Sequence, residues 1–150
     1  MSFGTAVKTC FSKMFVFSGR ARRSEFWWYY LFLTIVSTVV MVVLFIIFFV
    51  MMAPIFSEAD PVTGEIPDEY VGDFLWATVI LYGGLVLMGF VFLIMALGAE
   101  ARRLHDTGQS AHWLWFHLAG LSIVPFIMCA MEGQPHENQY GPDPKAFPVA

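Results

Sequence analysis

The side chains best suited to chemistry lie in two short charged stretches. One is Gly19-Arg20-Ala21-Arg22-Arg23-Ser24-Glu25, the other Glu100-Ala101-Arg102-Arg103-Leu104-His105-Asp106. Five arginines (Arg20, Arg22, Arg23, Arg102 and Arg103) stand against three carboxylates, Glu25, Glu100 and Asp106. A planar guanidinium matches phosphate oxygens with two parallel donors. The surplus cations, with His105, therefore form a candidate site for a small anion or an anionic lipid head group. The simpler expectation is a charged membrane boundary whose carboxylates neutralise the arginines. On one helix Glu100 would reach Arg103 and Arg102 would reach Asp106. His105 beside Asp106 suggests an acid–base pair, but helix neighbours point about 100° apart and do not form a dyad by themselves. His105, His112 and His117 lack the H-x-x-x-H spacing of a metal site, so no metal and no cofactor is expected. G-x-S-x-G, Walker and H-E-x-x-H patterns are absent, no catalytic residue stands out, and a non-enzymatic protein is expected.

Long apolar segments must position these charges. Of 150 residues, 58% are apolar and 13% charged, and the mean hydropathy is +0.67. A soluble domain carries about 25% charged residues, so this chain cannot cover a soluble surface. An ordinary cytosolic enzyme, a disordered tail and a nucleic-acid binder are excluded, which leaves an integral membrane protein. Cys10 and Cys129 give neither a disulfide framework nor a metal spacing. No cleavable signal peptide is expected, because charges precede a first apolar run too long for one.

The predicted fold is an all-α membrane protein: one polytopic domain with an interfacial amphipathic N-terminal helix and three transmembrane helices. In residues 3–17, Phe3, Val7, Cys10, Phe11 and Met14 recur at helical spacing, with Lys8 and Lys13 on the other side. That pattern suits a helix lying in the membrane interface; the alternative is a short helix packed on the rest of the protein. The first span is 26–52, roughly 40 Å of helix at about 1.5 Å per residue, opened by Trp27, Trp28, Tyr29 and Tyr30 and ended near Pro54. The connector 54–73 carries Glu58, Asp60, Glu65, Asp68, Glu69 and Asp73 and no base; it reads as a solvated acidic hairpin rather than a calcium loop. The second span is 74–97, interrupted by Gly83, Gly84 and Gly89, and Asp106-Thr107-Gly108 reads as its helix stop. The third is 111–131, with a re-entrant hairpin around Pro125 as the competing reading, and an irregular tail covers 132–150.

Charge then orients the chain. Lys8, Lys13, Arg20, Arg22, Arg23, Arg102 and Arg103 fall on one side of a three-span arrangement, leaving only Lys145 on the other. Basic residues stay cytoplasmic, which predicts the N-terminus inside and the C-terminus external.

Three ordered motifs carry a resemblance. Phe17-Ser18-Gly19-Arg20-Ala21-Arg22-Arg23-Ser24-Glu25-Phe26-Trp27 resembles the opening motif of the YhaH-like bacterial inner-membrane proteins, domain of unknown function 805. Arg102-Arg103-Leu104-His105-Asp106-Thr107-Gly108 with Ser110 and Trp113 is similar to the family's central motif, and Asn138-Gln139-Tyr140-Gly141-Pro142-Asp143-Pro144 to its C-terminal one. Gln109, Gln139 and His112 depart from the family's usual residues. The resemblance implies a bacterial inner-membrane protein and transfers no catalytic residue. The expected function is a non-enzymatic interaction or regulatory protein with the bilayer, a membrane partner or a second copy as partners. An anionic-lipid or small-anion binding module at the arginine cluster is the first alternative. A small pore or transporter component is the second, disfavoured because no span holds a charged residue.

Overall fold

The computed structural model describes residues 1–60 and 62–146; Pro61 of the acidic connector and residues 147–150 of the expected tail lie outside them. The described residues form four α-helices and one 3₁₀-helix, with no strand among them. The long helices are α2 (Arg23–Glu58) and α3 (Asp68–Asp106), of 36 and 39 residues. At about 1.5 Å per residue each exceeds a hydrocarbon core of about 30 Å. Only 11% of the most apolar window of each is buried within the chain, unlike the core helix of a soluble protein. These are the two candidate membrane spans.

The helices overrun the expected limits for local reasons. Pro54 does not end α2, which continues one turn to Glu58 because Met52 and Ile55 are buried with Ala77 of α3. That packing outweighs the hydrogen bond a proline removes. Asp68 and Glu69 in the first turn of α3, and Arg103 in its last, complement the helix dipole at both ends. Gly108, at φ 81°, turns the chain out of α3, with Gln109 N donating to Leu104 O at 2.9 Å.

The third expected span is a correction. Residues 111–131 hold a 3₁₀-helix, Ala111–His117, and a short helix α4, Ile123–Ala130, separated by a turn at Gly120, where φ is 73°. An eight-residue helix is about 12 Å long and crosses no bilayer. Apolar content alone suggested a span, but the positive-φ glycine breaks the segment. The N-terminal helix is also shorter than expected. Here α1 is Phe3–Ser12, with Ser2 capping it through Thr5 N. It buries Ala6 and Cys10 and leaves Lys8 exposed. Phe3 meets Trp28 edge-on at 5.8 Å and Phe11 meets Tyr29 at 5.7 Å. Its apolar side thus packs on the opening of α2, as the packed alternative requires.

The chain divides into two compact units. Thr34–Phe92 holds the apolar lengths of α2 and α3 with their connection. In it Gly84 admits Leu44 closely; a Cβ there would lie 2.9 Å from Leu44 Cδ2. Asp60 Oδ1 accepts from Val62 N at 2.7 Å and Thr63 N at 2.9 Å, folding the acidic connection into a tight turn. Met1–Leu33 with the chain from Leu93 onward forms the second unit, here called the head. It contains both charged stretches.

Candidate functional site

The head is built on the last two turns of α3, where Ala99, Ala101, Arg102, Arg103, Leu104 and Asp106 are all buried. Small residues make the approach possible. A Cβ at Gly98 would collide with the Met14 carbonyl, and one at Gly133 with the Asp106 carboxylate. The chain at 13–16 and the tail can therefore both lie against this helix end. Ala21 N donates to Arg102 O at 3.0 Å and docks the first charged stretch onto the second.

Asp106 is the hub. It pairs with Arg20, whose Nε donates to Oδ1 at 2.9 Å, and with Arg103 one turn back. The side chains of Arg20, Arg103 and Asp106 are 1%, 0% and 4% exposed. Each guanidinium is completed by carbonyls. Arg20 Nη1 donates to His136 O at 2.7 Å and Gly141 O at 3.2 Å, and Nη2 donates to Gln134 O. Arg103 Nε donates to Cys129 O at 2.9 Å and its Nη2 to Met131 O. The two arginines thus hold the tail and the end of α4 from opposite sides of one carboxylate. A buried charge left without such partners would be strongly destabilising.

The other candidates occupy separate stations. Arg102 turns away from Asp106; its Nη1 donates to Lys13 O at 2.6 Å and Val16 O at 2.7 Å, and its Nη2 lies 3.4 Å from Glu25 Oε1. Cys10 Sγ lies 3.6 Å from the same oxygen. Burial, and then the Glu25 charge, push the Cys10 thiol up to about 12. Glu100 does not pair with Arg103; its Oε2 is 2.6 Å from His117 Nε2. Arg22 Nε donates to Pro144 O at 2.7 Å. Arg23 Nη2 donates to Ala130 O at 2.9 Å and stands 3.9 Å from Glu132 with its side chain 45% exposed. His105 shares a hydrogen bond with Gly19 O at 3.1 Å and stacks on Tyr140, ring centres 3.8 Å apart and planes 7° apart.

The helical pairs Glu100–Arg103 and Arg102–Asp106 are thus replaced by Arg103–Asp106, Arg102–Glu25 and Glu100–His117. The cluster is one locality, but its most buried guanidiniums point inward to carboxylates and carbonyls, the arrangement of a clamp rather than an open anion cradle. The separation of Arg20 from the tail by a membrane is also corrected. Groups hydrogen-bonded at 2.7 Å cannot lie across a hydrocarbon core.

Sequence reasoning missed the tail's part. Asn138 Nδ2 donates to His105 O at 3.0 Å and to Gln134 Oε1 at 2.8 Å, while Asn138 and Gly141 form an isolated antiparallel bridge. Gln134 N donates to Asp106 O at 2.8 Å. The available signal was the Asn138–Pro144 motif itself, whose turn residues present carbonyls to Arg20 and Arg22. His117 was missed as the partner of Glu100 because their contact depends on the turn after α3.

Against known proteins, the chain is 36% identical over 69 residues to inner membrane protein YhaH of Escherichia coli K12, and equally to that of E. coli O157:H7. The match covers 41% of this chain and 53% of those relatives, about half their length. No solved structure matches. The family model described as Protein of unknown function (DUF805) matches residues 14–142, a range that takes in the first two motifs and the third as far as Pro142, and the chain belongs to that family.

Proposed function

We propose that this is a two-span bacterial inner-membrane protein whose head and both termini are cytoplasmic, and that the head is a preformed contact surface for a membrane partner or a second copy of the chain. The observation that carries this reading is the attachment of Arg20 to the tail carbonyls through a side chain 1% exposed. It supports placing Lys145 with the other basic residues, so that all eight fall in the head. The stretch 54–73, which takes in the connection and the helix ends that flank it, keeps six acids and no base. Basic segments stay on the cytoplasmic side. A head clamped from within spends its arginines on its own shape, which favours recognition by surface over capture of an anion. Phe15, Trp115, Leu118 and Ile127 are exposed apolar side chains that such a surface, or the bilayer interface, would cover.

Two measurements test this. A cysteine at Thr63 should react with an impermeant maleimide on intact cells, and one at Lys145 only after lysis; the reverse pattern refutes the orientation. Native mass spectrometry from native lipid should give a reproducible assembly. A strictly monomeric, partnerless protein refutes the contact reading.

A further inference from the structure

One group of side chains in the head belongs neither to the clamp nor to a contact surface. Glu100 Oε2 lies 2.6 Å from His117 Nε2, and His117 Nδ1 lies 2.9 Å from Ser122 Oγ. With Glu100 ionised, the carboxylate accepts from Nε2–H. The lone pair on Nδ1 then accepts from the Ser122 hydroxyl. That is the proton arrangement of a serine activated by an imidazole that a carboxylate orients.

Burial is graded as such chemistry needs. The Glu100 and His117 side chains are 4% and 8% exposed, whereas Ser122 is exposed. Ser122 occupies the N-cap position of α4, where a serine ordinarily accepts from the second or third helical amide. It makes no such bond here. Val124 N already donates to Leu121 O at 3.0 Å, and the next residue, Pro125, has no N–H. The hydroxyl is thereby released from capping and given to the imidazole.

His117 also lines a cavity of about 490 Å³ whose other walls include Phe17, Leu93, Leu97, Leu114, Trp115 and Leu118. Ligand pockets typically enclose about 300–1,000 Å³. A hydrocarbon chain is the occupant such walls suit, and the imidazole is the titratable group among them.

From this geometry we infer a second function: Ser122, His117 and Glu100 form a hydrolytic site for esters of lipophilic acids, with the acyl chain in the cavity. Ser122 Oγ attacks the ester carbonyl carbon as its proton passes to His117 Nδ1. The carbonyl π pair moves to oxygen, giving a tetrahedral oxyanion. Collapse breaks the bond to the alcohol, which leaves with the proton from His117. Water repeats the sequence on the acyl-serine, releasing the acid and restoring the hydroxyl, so that ester and water give acid and alcohol. Glu100 is a positioning residue. The inference goes beyond the contact reading, which neither requires nor forbids a reaction, and it departs from the non-enzymatic expectation drawn from motif absence.

The test uses the full chain in lipid nanodiscs. A long-chain alkyl fluorophosphonate should label Ser122, identified by peptide mass spectrometry, and p-nitrophenyl octanoate should be hydrolysed faster than the acetate. Ser122→Ala, at an exposed site with no capping role, should lower turnover about a thousandfold or to background. Leu114→Trp should fill the cavity and shift preference from octanoate to acetate. Glu100→Gln should lower kcat at unchanged KM, with partial recovery in Glu100→Asp. A folded wild type that leaves Ser122 unlabelled overturns the inference, as does octanoate turnover equal to that of Ser122→Ala.

Discussion

Asp106→Asn is the sharpest perturbation of the head. The change is nearly isosteric, so packing is kept while the charge between two buried guanidiniums is removed. Arg20 and Arg103 face Asp106 from different segments, and the three side chains are 1%, 0% and 4% exposed. Solvent screening, which reduces surface pairs to about 0–1 kcal/mol, has little purchase at that burial. Removing one partner of a buried pair is destabilising by about 3–5 kcal/mol. Arg20 retains three carbonyl acceptors and Arg103 two, which places the loss toward the lower figure. About 3 kcal/mol corresponds to more than a hundredfold in an equilibrium constant. The amide of Gln134, bonded to Asp106 O at 2.8 Å, reports the opening directly. In hydrogen exchange it should lose more than a hundredfold of its protection, while amides between Leu75 and Leu87 keep theirs. Pairing the change with Arg103→Met should recover part of the loss, since the remaining uncompensated charge is then reduced. If Gln134 exchanges within threefold of wild type in Asp106→Asn, the clamp is not what holds the tail.

Three further outcomes follow from particular contacts. Gly98→Ala places a methyl against the Met14 carbonyl and should destabilise the head by about 1–3 kcal/mol, read as a lower Tm in detergent with the helix content unchanged. The Cys10 thiol, raised from 9.0 to about 12, should resist maleimide at pH 8 until the protein is denatured. Because the fold favours its neutral form, the associated stability is complete below about pH 9 and is lost as pH rises toward 12, so denaturant midpoints should fall over that window. Tyr140→Leu removes the ring stacked on His105 and should loosen the tail by about 0.5–1.5 kcal/mol, seen as faster proteolysis at Lys145.

The membrane character, the two long helices and the gathering of charge in the two arginine stretches were legible in the sequence. The charge-free runs between Glu25 and Glu58 and between Asp73 and Glu100 leave a helix as the conformation that satisfies its own backbone in lipid. The helix stop at Gly108 was likewise readable from residue type, because a left-handed backbone favours glycine. The break inside 111–131 was harder to read. Gly120 and Pro125 signalled a bend, but hydropathy averaged over the segment outweighed two residues that interrupt it.

Partnership was decided by tertiary structure. Spacing along α3 allowed Glu100 to meet Arg103 and Arg102 to meet Asp106, yet Glu100 and Arg102 found His117 and Glu25 from other segments, and Asp106 took Arg20 beside Arg103 one turn back. Helical pairs at these spacings contribute about 0.2–0.5 kcal/mol. A buried guanidinium must instead satisfy several donors at once, and those acceptors come from the chain at 13–16, the end of α4 and the tail. The local pattern therefore determined where charge would gather, while the requirement that buried charge be fully hydrogen-bonded selected which distant segments came to meet it.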